Sequence, residues 1–262
     1  MPHALEGGEL QRRITGRHPA VFTDYDGTLT PIVARPELAT IDDAMVEVLG
    51  RLAERCVVAV VSGRDLEDVR RMARAEDVWY AGSHGMDLLG PDGTRHEHPG
   101  SIELAPVLAS ATDELEQLLA AVPGAWVERK RFATAAHFRQ VEESLWPAVG
   151  DAVDRVVADN PGLRRTGGKC IYELRPDVAW DKGRALWWLF EQAGLDTAST
   201  VPIYLGDDLT DEDAFSALGD AGIGVVVGDD DRPTSADLRV RDVGEVLILL
   251  EHLATYLEGT AA

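Results

Sequence analysis

Hydrophobic and polar positions keep two different periods along the first third of the chain. Apolar, β-branched runs at 19–22 (PAVF) and 57–61 (VVAVV) each precede a stretch with apolar residues at helical spacing, IDDAMVEVLGRLAERC and RDLEDVRRMARA. A β-α-β-α order of this kind predicts a parallel sheet, since parallel neighbours need a crossover between them. The last third repeats the pattern with DKGRALWWLFEQAGL, VPIYLGDD, TDEDAFSALGDA, GIGVVVG and the closing helix GEVLILLEHLATYLE, and so adds strands to the same sheet. The middle reads differently. After WYAGSHGMDLL and the Pro-Asp-Gly turn at 91–93 come a helix (PVLASATDELEQLLAAV), two strands (AWVERKRF, TAAHFRQV), a second helix (LWPAVGDAVDRVVADN) and two more strands around Gly167-Gly168. The expected fold is therefore α/β: a doubly wound parallel-sheet core at 1–103 and 177–262, interrupted by an α+β domain at 104–176. Hinges are expected near Pro99-Gly100 and Arg175-Pro176, where regular structure breaks.

Charge separates the same two parts. The 262 residues carry a formal charge of -21, yet the segment 104–176 holds ten acidic and nine basic residues and is nearly neutral. A charge this negative argues against a sequence-independent grip on nucleic acid or on an anionic membrane, since both need a basic face to displace counterions. A small-molecule substrate and a monomer are expected. No apolar run is long enough to span a bilayer, and MPHALEGGELQRR lacks a signal peptide's layout, so a cytoplasmic location is expected. Cys56 and Cys170 lie in apolar runs and read as buried thiols.

Candidate chemistry sits at the strand ends. Asp24 and Asp26 in Asp24-Tyr25-Asp26-Gly27-Thr28 are spaced i and i+2 after an apolar strand, so both can point to one side. One carboxylate there can attack phosphorus, and the other can protonate the leaving oxygen and later deprotonate water. An ordinary Asp-Gly turn is the plain alternative. Ser62-Gly63-Arg64 follows the second apolar run, where the Ser62 hydroxyl and the Gly63 amide can hold phosphate oxygens; taken alone, Ser62 reads as a helix cap. Lys182 in Asp181-Lys182-Gly183 can neutralise the same phosphate. The acids of Asp207-Asp208-Leu209-Thr210-Asp211-Glu212-Asp213 repel one another unless a cation sits among them, and magnesium suits such hard oxygen donors. Glu212 and Asp213 read as first-turn residues of the next helix. His84 reads as a core or loop-positioning residue, and Trp187, Trp188 and Phe190 as core.

In this order and at strand ends, these four pieces resemble the haloacid dehalogenase superfamily along the whole chain. The resemblance implies that Asp24 is the nucleophile and a metal ligand, and that Asp26 is the acid/base whose backbone carbonyl also touches magnesium. It places Ser62 and Lys182 on the phosphate and Asp207 on the metal, with Asp208 as a further candidate ligand and Asp211 behind them. The insert resembles the α+β cap of the sugar-phosphatase branch. Within it, DYDGTLTPI, GSHG at 82–85, V-E-x-K, H-[YF]-R, G-K-x-x-x-E-x-R-P, WDKG and GDDxTDED are similar to trehalose-6-phosphate phosphatases. That implies hydrolysis of trehalose 6-phosphate to trehalose and phosphate, the last step of trehalose biosynthesis, with Lys130, Arg139, Lys169 and Glu173 contacting the sugar. Lys130 and Arg139 are expected on two consecutive strands, and Lys169 and Glu173 on one face of the last pair. Arg129, Arg131 and Phe138 depart from the family's wording, which puts fine substrate contacts in doubt. Two other functions remain: a phosphatase for another sugar or polyol phosphate, and a silent module that binds a sugar phosphate. Intact Asp24, Asp26, Lys182 and Asp207 weigh against silence.

Overall fold

The structure, a computed structural model, describes residues 1–33, 35–168, 170–229 and 232–260. In chain order the helices are α1 (Glu9–Ile14), α2 (Asp43–Ala53), α3 (Leu66–Ala73), α4 (Pro99–Leu119), α5 (Trp146–Asp159), α6 (Lys182–Gln192), α7 (Glu212–Leu218) and α8 (Val243–Thr260). The strands are β1 (His18–Asp24), β2 (Val58–Val61), β3 (Trp79–Gly82), β4 (Asp87–Leu89), β5 (Arg95–Glu97), β6 (Trp126–Arg129), β7 (Thr134–His137), β8 (Leu163–Gly168), β9 (Ile171–Pro176), β10 (Thr200–Gly206), β11 (Ile223–Val227) and β12 (Leu238–Val240). Two compact units result, one from Met1–His96 with Trp180–Ala262 and one from Glu97–Ala179.

The first unit is a doubly wound sheet in the order β12-β11-β10-β1-β2-β3-β4-β5, parallel from β12 through β3, with β4 antiparallel to β3. Its central strands are apolar at nearly every position because both faces are covered. Alternate residues serve opposite layers. Val21, Val58, Val60, Ile203 and Val225 pack with Leu49 and Leu52 of α2, Val69 of α3 and Leu249 of α8. Ala20, Phe22, Ala59, Val61 and Tyr204 pack with Leu186 and Phe190 of α6 and Phe215 of α7. Trp187 and Trp188 lie partly buried against that second layer, as core. The chain winds from β1 outward through β2 and β3, then returns to the other side of β1 as β10. The carboxyl ends of β1 and β10 therefore flank the switch point, where open α/β sheets bind ligands.

The second unit lays α4 and α5 on one face of a four-stranded antiparallel sheet, β6-β7-β9-β8. Leu108, Ala111 and Leu115 of α4 and Val149, Val153 and Val156 of α5 close on Ala136 and Leu174. The unit begins at Glu97 and ends at Ala179, not at 104 and 176. Pro99 stands in the first turn of α4, where a missing amide and a fixed φ cost nothing, so Pro99-Gly100 opens the helix just beyond the boundary between the units. Pro176 likewise ends β9, paired with Leu163. Cys56 and Cys170 are only partly buried, not enclosed as expected, and each packs against the edge of its unit's core, Cys170 at φ +62° between β8 and β9. Among the described residues no helix is long and apolar enough to cross a membrane.

Candidate active site

Asp24 is the last residue of β1, and the loop beyond it is tight. The Gly27 amide donates to the Thr30 carbonyl at 2.7 Å, with Gly27 at φ +87°. A Cβ there would overlap the Asp207 carboxylate, so glycine is what lets the loop after β1 lie against the loop after β10. Asp24, Asp207 and Asp211 consequently each offer a carboxylate oxygen within 4.8 Å of the others.

Lys182 answers this charge. Asp181 caps α6 by accepting the Arg184 amide at 2.8 Å, which fixes Lys182 as the first helical residue. Its buried Nζ donates to Asp24 Oδ1 and to Asp211 Oδ1, each at 2.7 Å. The Tyr204 hydroxyl donates to the same Asp211 oxygen at 2.7 Å, and the Asp208 amide donates to Asp211 Oδ2 at 2.9 Å. Asp211 is thus taken up in holding Lys182. Burial alone would lower the Lys182 ammonium, but Asp24 and Asp211 outweigh it and push it up, so Lys182 stays charged.

One ammonium does not balance three acids. Burial raises the Asp24 carboxyl above its ordinary range against the pull of Lys182, with Asp211 and Asp207 adding to the rise. Burial, then Asp211 and Asp208, push Asp207 up to about 6. Asp207 Oδ1 is buried and has no hydrogen-bond partner among the described residues. A buried carboxylate oxygen without a donor, beside a second carboxylate, is what a hard divalent cation satisfies, and the oxygen donors of Asp24 and Asp207 fit magnesium.

Asp208 does not join this group, contrary to its expected place among the metal ligands. Its side chain accepts the Leu209 amide at 2.6 Å and forms a capping box with Asp211, so the turn that starts after β10 claims it. Asp26 lies two residues beyond Asp24, and both its oxygens take the Arg64 guanidinium: Nη2 to Oδ1 at 2.5 Å, Nε to Oδ2 at 2.7 Å. Ser62, fully buried after β2, donates its amide to the Ala81 carbonyl at 2.8 Å, and its Oγ accepts the Arg64 amide at 3.1 Å. It is not a helix cap, since α3 starts only at Leu66 after Asp65. The His84 ring stands where a Cβ at Gly63 would meet it at 2.7 Å, and the Trp180 indole N–H donates to the His84 carbonyl at 3.1 Å. His84 therefore positions the Ser62-Gly63 loop.

In the second unit, Lys130 Nζ donates to Glu173 Oε1 at 2.8 Å, and Arg175 Nε donates to Glu173 Oε2 at 3.0 Å. The expected strand positions need correction. The hairpin is shorter than the alternation suggested: β6 stops at Arg129, and the Lys130 amide bonds the Ala133 carbonyl at 2.9 Å across the turn. Arg139 lies exposed in a turn beyond the other end of β7, away from Lys130. Lys169 lies outside the described residues. Glu173 shares a sheet face with Glu128 and His137, which bond each other at 2.8 Å, while Trp126 stacks on His137 with ring centroids 3.9 Å apart. The departures from the family wording fall elsewhere. Arg129 bonds Asp113 and Glu116 of α4, Arg131 pairs with Glu97, and Phe138 packs on Tyr172 and Trp146 in the core.

Glu173 gives the second unit an acid-sensitive tie. Burial would raise its carboxyl, but Lys130, then Arg175, outweigh burial and hold it down at about 2. A depressed carboxyl stabilises the fold above its unfolded value and ceases to do so as the pH falls through the folded one. Stability worth up to about 3 kcal/mol is therefore expected to disappear as the pH drops from about 4.5 towards 2. Urea unfolding followed at pH 7 and pH 3 checks this: the Glu173→Gln variant should lose less stability between the two than the parent does.

A carboxylate pair at the end of β1, a serine after β2, a lysine opening α6 and acids after β10, all on a doubly wound sheet with an α+β insert, define a core of the haloacid-dehalogenase-like fold. The chain belongs to the trehalose-phosphatase family, whose model matches residues 22–243. It is 43% identical to the trehalose-phosphate phosphatase of Mycobacterium bovis (strain BCG / Pasteur 1173P2) over 98% of this chain and 66% of that protein. It is 44% identical to an uncharacterized glycosyl hydrolase of Mycobacterium tuberculosis (strain ATCC 25618 / H37Rv) over 98% of this chain, which spans only 20% of that protein. A solved trehalose-6-phosphate phosphatase related protein superposes with a TM-score of 0.77 at 26% identity, covering 90% of this chain and 97% of that one.

Proposed function

We propose that this chain hydrolyses trehalose 6-phosphate to trehalose and phosphate, the last step of trehalose biosynthesis, through an aspartyl-phosphate on Asp24. The observation that carries the reading is the Asp24 carboxylate, buried at the end of the central strand, held by Lys182 at 2.7 Å and placed two residues before Asp26. Asp24 attacks phosphorus, the bond from phosphorus to the sugar oxygen breaks, and Asp26 gives that oxygen a proton. Water then attacks the same phosphorus, the bond to Asp24 breaks, and Asp26 takes a proton from that water, which restores its acid form. Ser62 Oγ, the Gly63 amide and Lys182 hold the phosphate oxygens.

Magnesium, held by Asp24 and Asp207 together with the Asp26 backbone carbonyl, supplies charge neutralisation for the phosphate when bound. Asp207→Ala is expected to abolish the magnesium response in phosphate release, and EDTA to silence the parent enzyme reversibly. Full activity in EDTA would contradict the metal assignment. Sugar recognition belongs to Lys130 and Glu173, whose charged ends suit hydroxyl groups; Arg139 and Lys169 complete the proposed set. A cytoplasmic location is part of the proposal, supported by two free thiols. A phosphate-release screen over trehalose 6-phosphate, other sugar phosphates and polyol phosphates, with and without magnesium, tests the reading. Preference for trehalose 6-phosphate supports it. Preference for another ester moves the specificity, and no release from any of them leaves a binding module.

A further inference from the structure

The reaction as drawn gives Arg64 no task, yet its guanidinium makes a two-point grip on Asp26, at 2.5 Å and 2.7 Å. The grip is itself held. The guanidinium carbon lies 5.6 Å from the Tyr25 ring centroid, Nη1 reaches Met72 Sδ at 3.4 Å, and the Arg64 carbonyl accepts the Ser83 amide at 2.7 Å. An ionised carboxylate has roughly four lone-pair sites, so a bidentate guanidinium occupies one on each oxygen and leaves one on each for a proton.

We propose that Arg64 is a positioning residue for proton transfer: its fork fixes the plane and rotamer of the Asp26 carboxylate while leaving each oxygen a lone pair to exchange a proton. The proposal rests on the covalent reading above. Asp26 acts twice there, as acid when the phosphorus–sugar-oxygen bond breaks and as base when water replaces Asp24 on phosphorus. A sugar alkoxide needs the acid. A nitrophenolate leaves without it, so p-nitrophenyl phosphate needs Asp26 only in the second step.

The test is stopped-flow and acid-quench kinetics of the magnesium-loaded Arg64→Ala and Arg64→Lys enzymes on both substrates. For Arg64→Ala, kcat on trehalose 6-phosphate should fall about 10²-fold with KM little changed, the scale of a misplaced acid/base. Arg64→Lys keeps the charge but not the fork and should fall about tenfold. On p-nitrophenyl phosphate both variants should release about one equivalent of nitrophenolate in a burst, then turn over slowly while the phosphoenzyme accumulates. Equal losses on the two substrates without a burst would overturn the proposal, since a purely structural lesion behaves that way. Unchanged kinetics would overturn it too. If Arg64→Ala does not fold, the burst in Arg64→Lys decides. A parent enzyme that hydrolyses both esters without any phosphoenzyme would instead sink the covalent reading, and this proposal with it.

Discussion

Asp24→Asn is expected to lose turnover of trehalose 6-phosphate by more than about 10⁴-fold while keeping its fold. An amide oxygen in the same place is a far poorer nucleophile, and nothing else in the site attacks phosphorus in its stead. Stability should hold or rise, because Asn removes one of three carboxylates crowded within 4.8 Å of one another, and burial already opposes the charge on Asp24. Phosphate release and a urea melt on the same sample check both halves. Near-normal turnover would rule Asp24 out as the nucleophile.

Lys182→Met is expected to cost both activity and stability. The ammonium is buried between Asp24 and Asp211, 2.7 Å from each, so its removal leaves two buried carboxylates facing one another. Breaking a buried pair from one side typically costs about 3–5 kcal/mol, far above the roughly 0–1 kcal/mol of a surface pair. Met keeps most of the volume, so the loss reports charge and not a cavity. The deficit should shrink as the pH is lowered, since protonated carboxyls no longer need the ammonium. Urea unfolding across pH 5 to 8 checks the sign, and a penalty below about 1 kcal/mol at pH 8 would show that the three groups do not depend on one another.

The layout of the core was legible because its physics is local. A strand buried on both faces must be a nearly continuous apolar run, and the last residue of β1 and the first beyond β10 are where charge becomes possible, so Asp24 and Asp207 stood out. The division of labour among the acids after β10 was not legible. Asp208 and Asp211 differ in role only because the chain turns at once into a short helix, which takes Asp208 as its cap and leaves Asp211 facing Lys182 and Tyr204. Spacing alone does not say which acid caps. Tyr204 carried no signal, since in a buried strand it reads as another apolar residue. Arg64 and Arg175 lay inside motifs already singled out, but which carboxylate each would meet depends on contacts 38 residues away for Arg64 and on the turn of the β6–β7 hairpin for the Lys130–Glu173–Arg175 group. Alternation predicted longer strands there than form, so Lys130 and Arg139 fall just outside β6 and β7, Lys130 in the hairpin turn and Arg139 beyond the far end of β7.

The most direct measurement is acid quench of the magnesium-loaded enzyme during turnover of trehalose 6-phosphate labelled in its phosphate, followed by peptide mapping of the bound label. The expected result is a hydroxylamine-labile label on the peptide that contains Asp24, formed at a rate able to support steady-state phosphate release and absent from Asp24→Asn. Phosphate release at the full rate with no label on the protein, or label on any other residue, would contradict an aspartyl-phosphate route through Asp24.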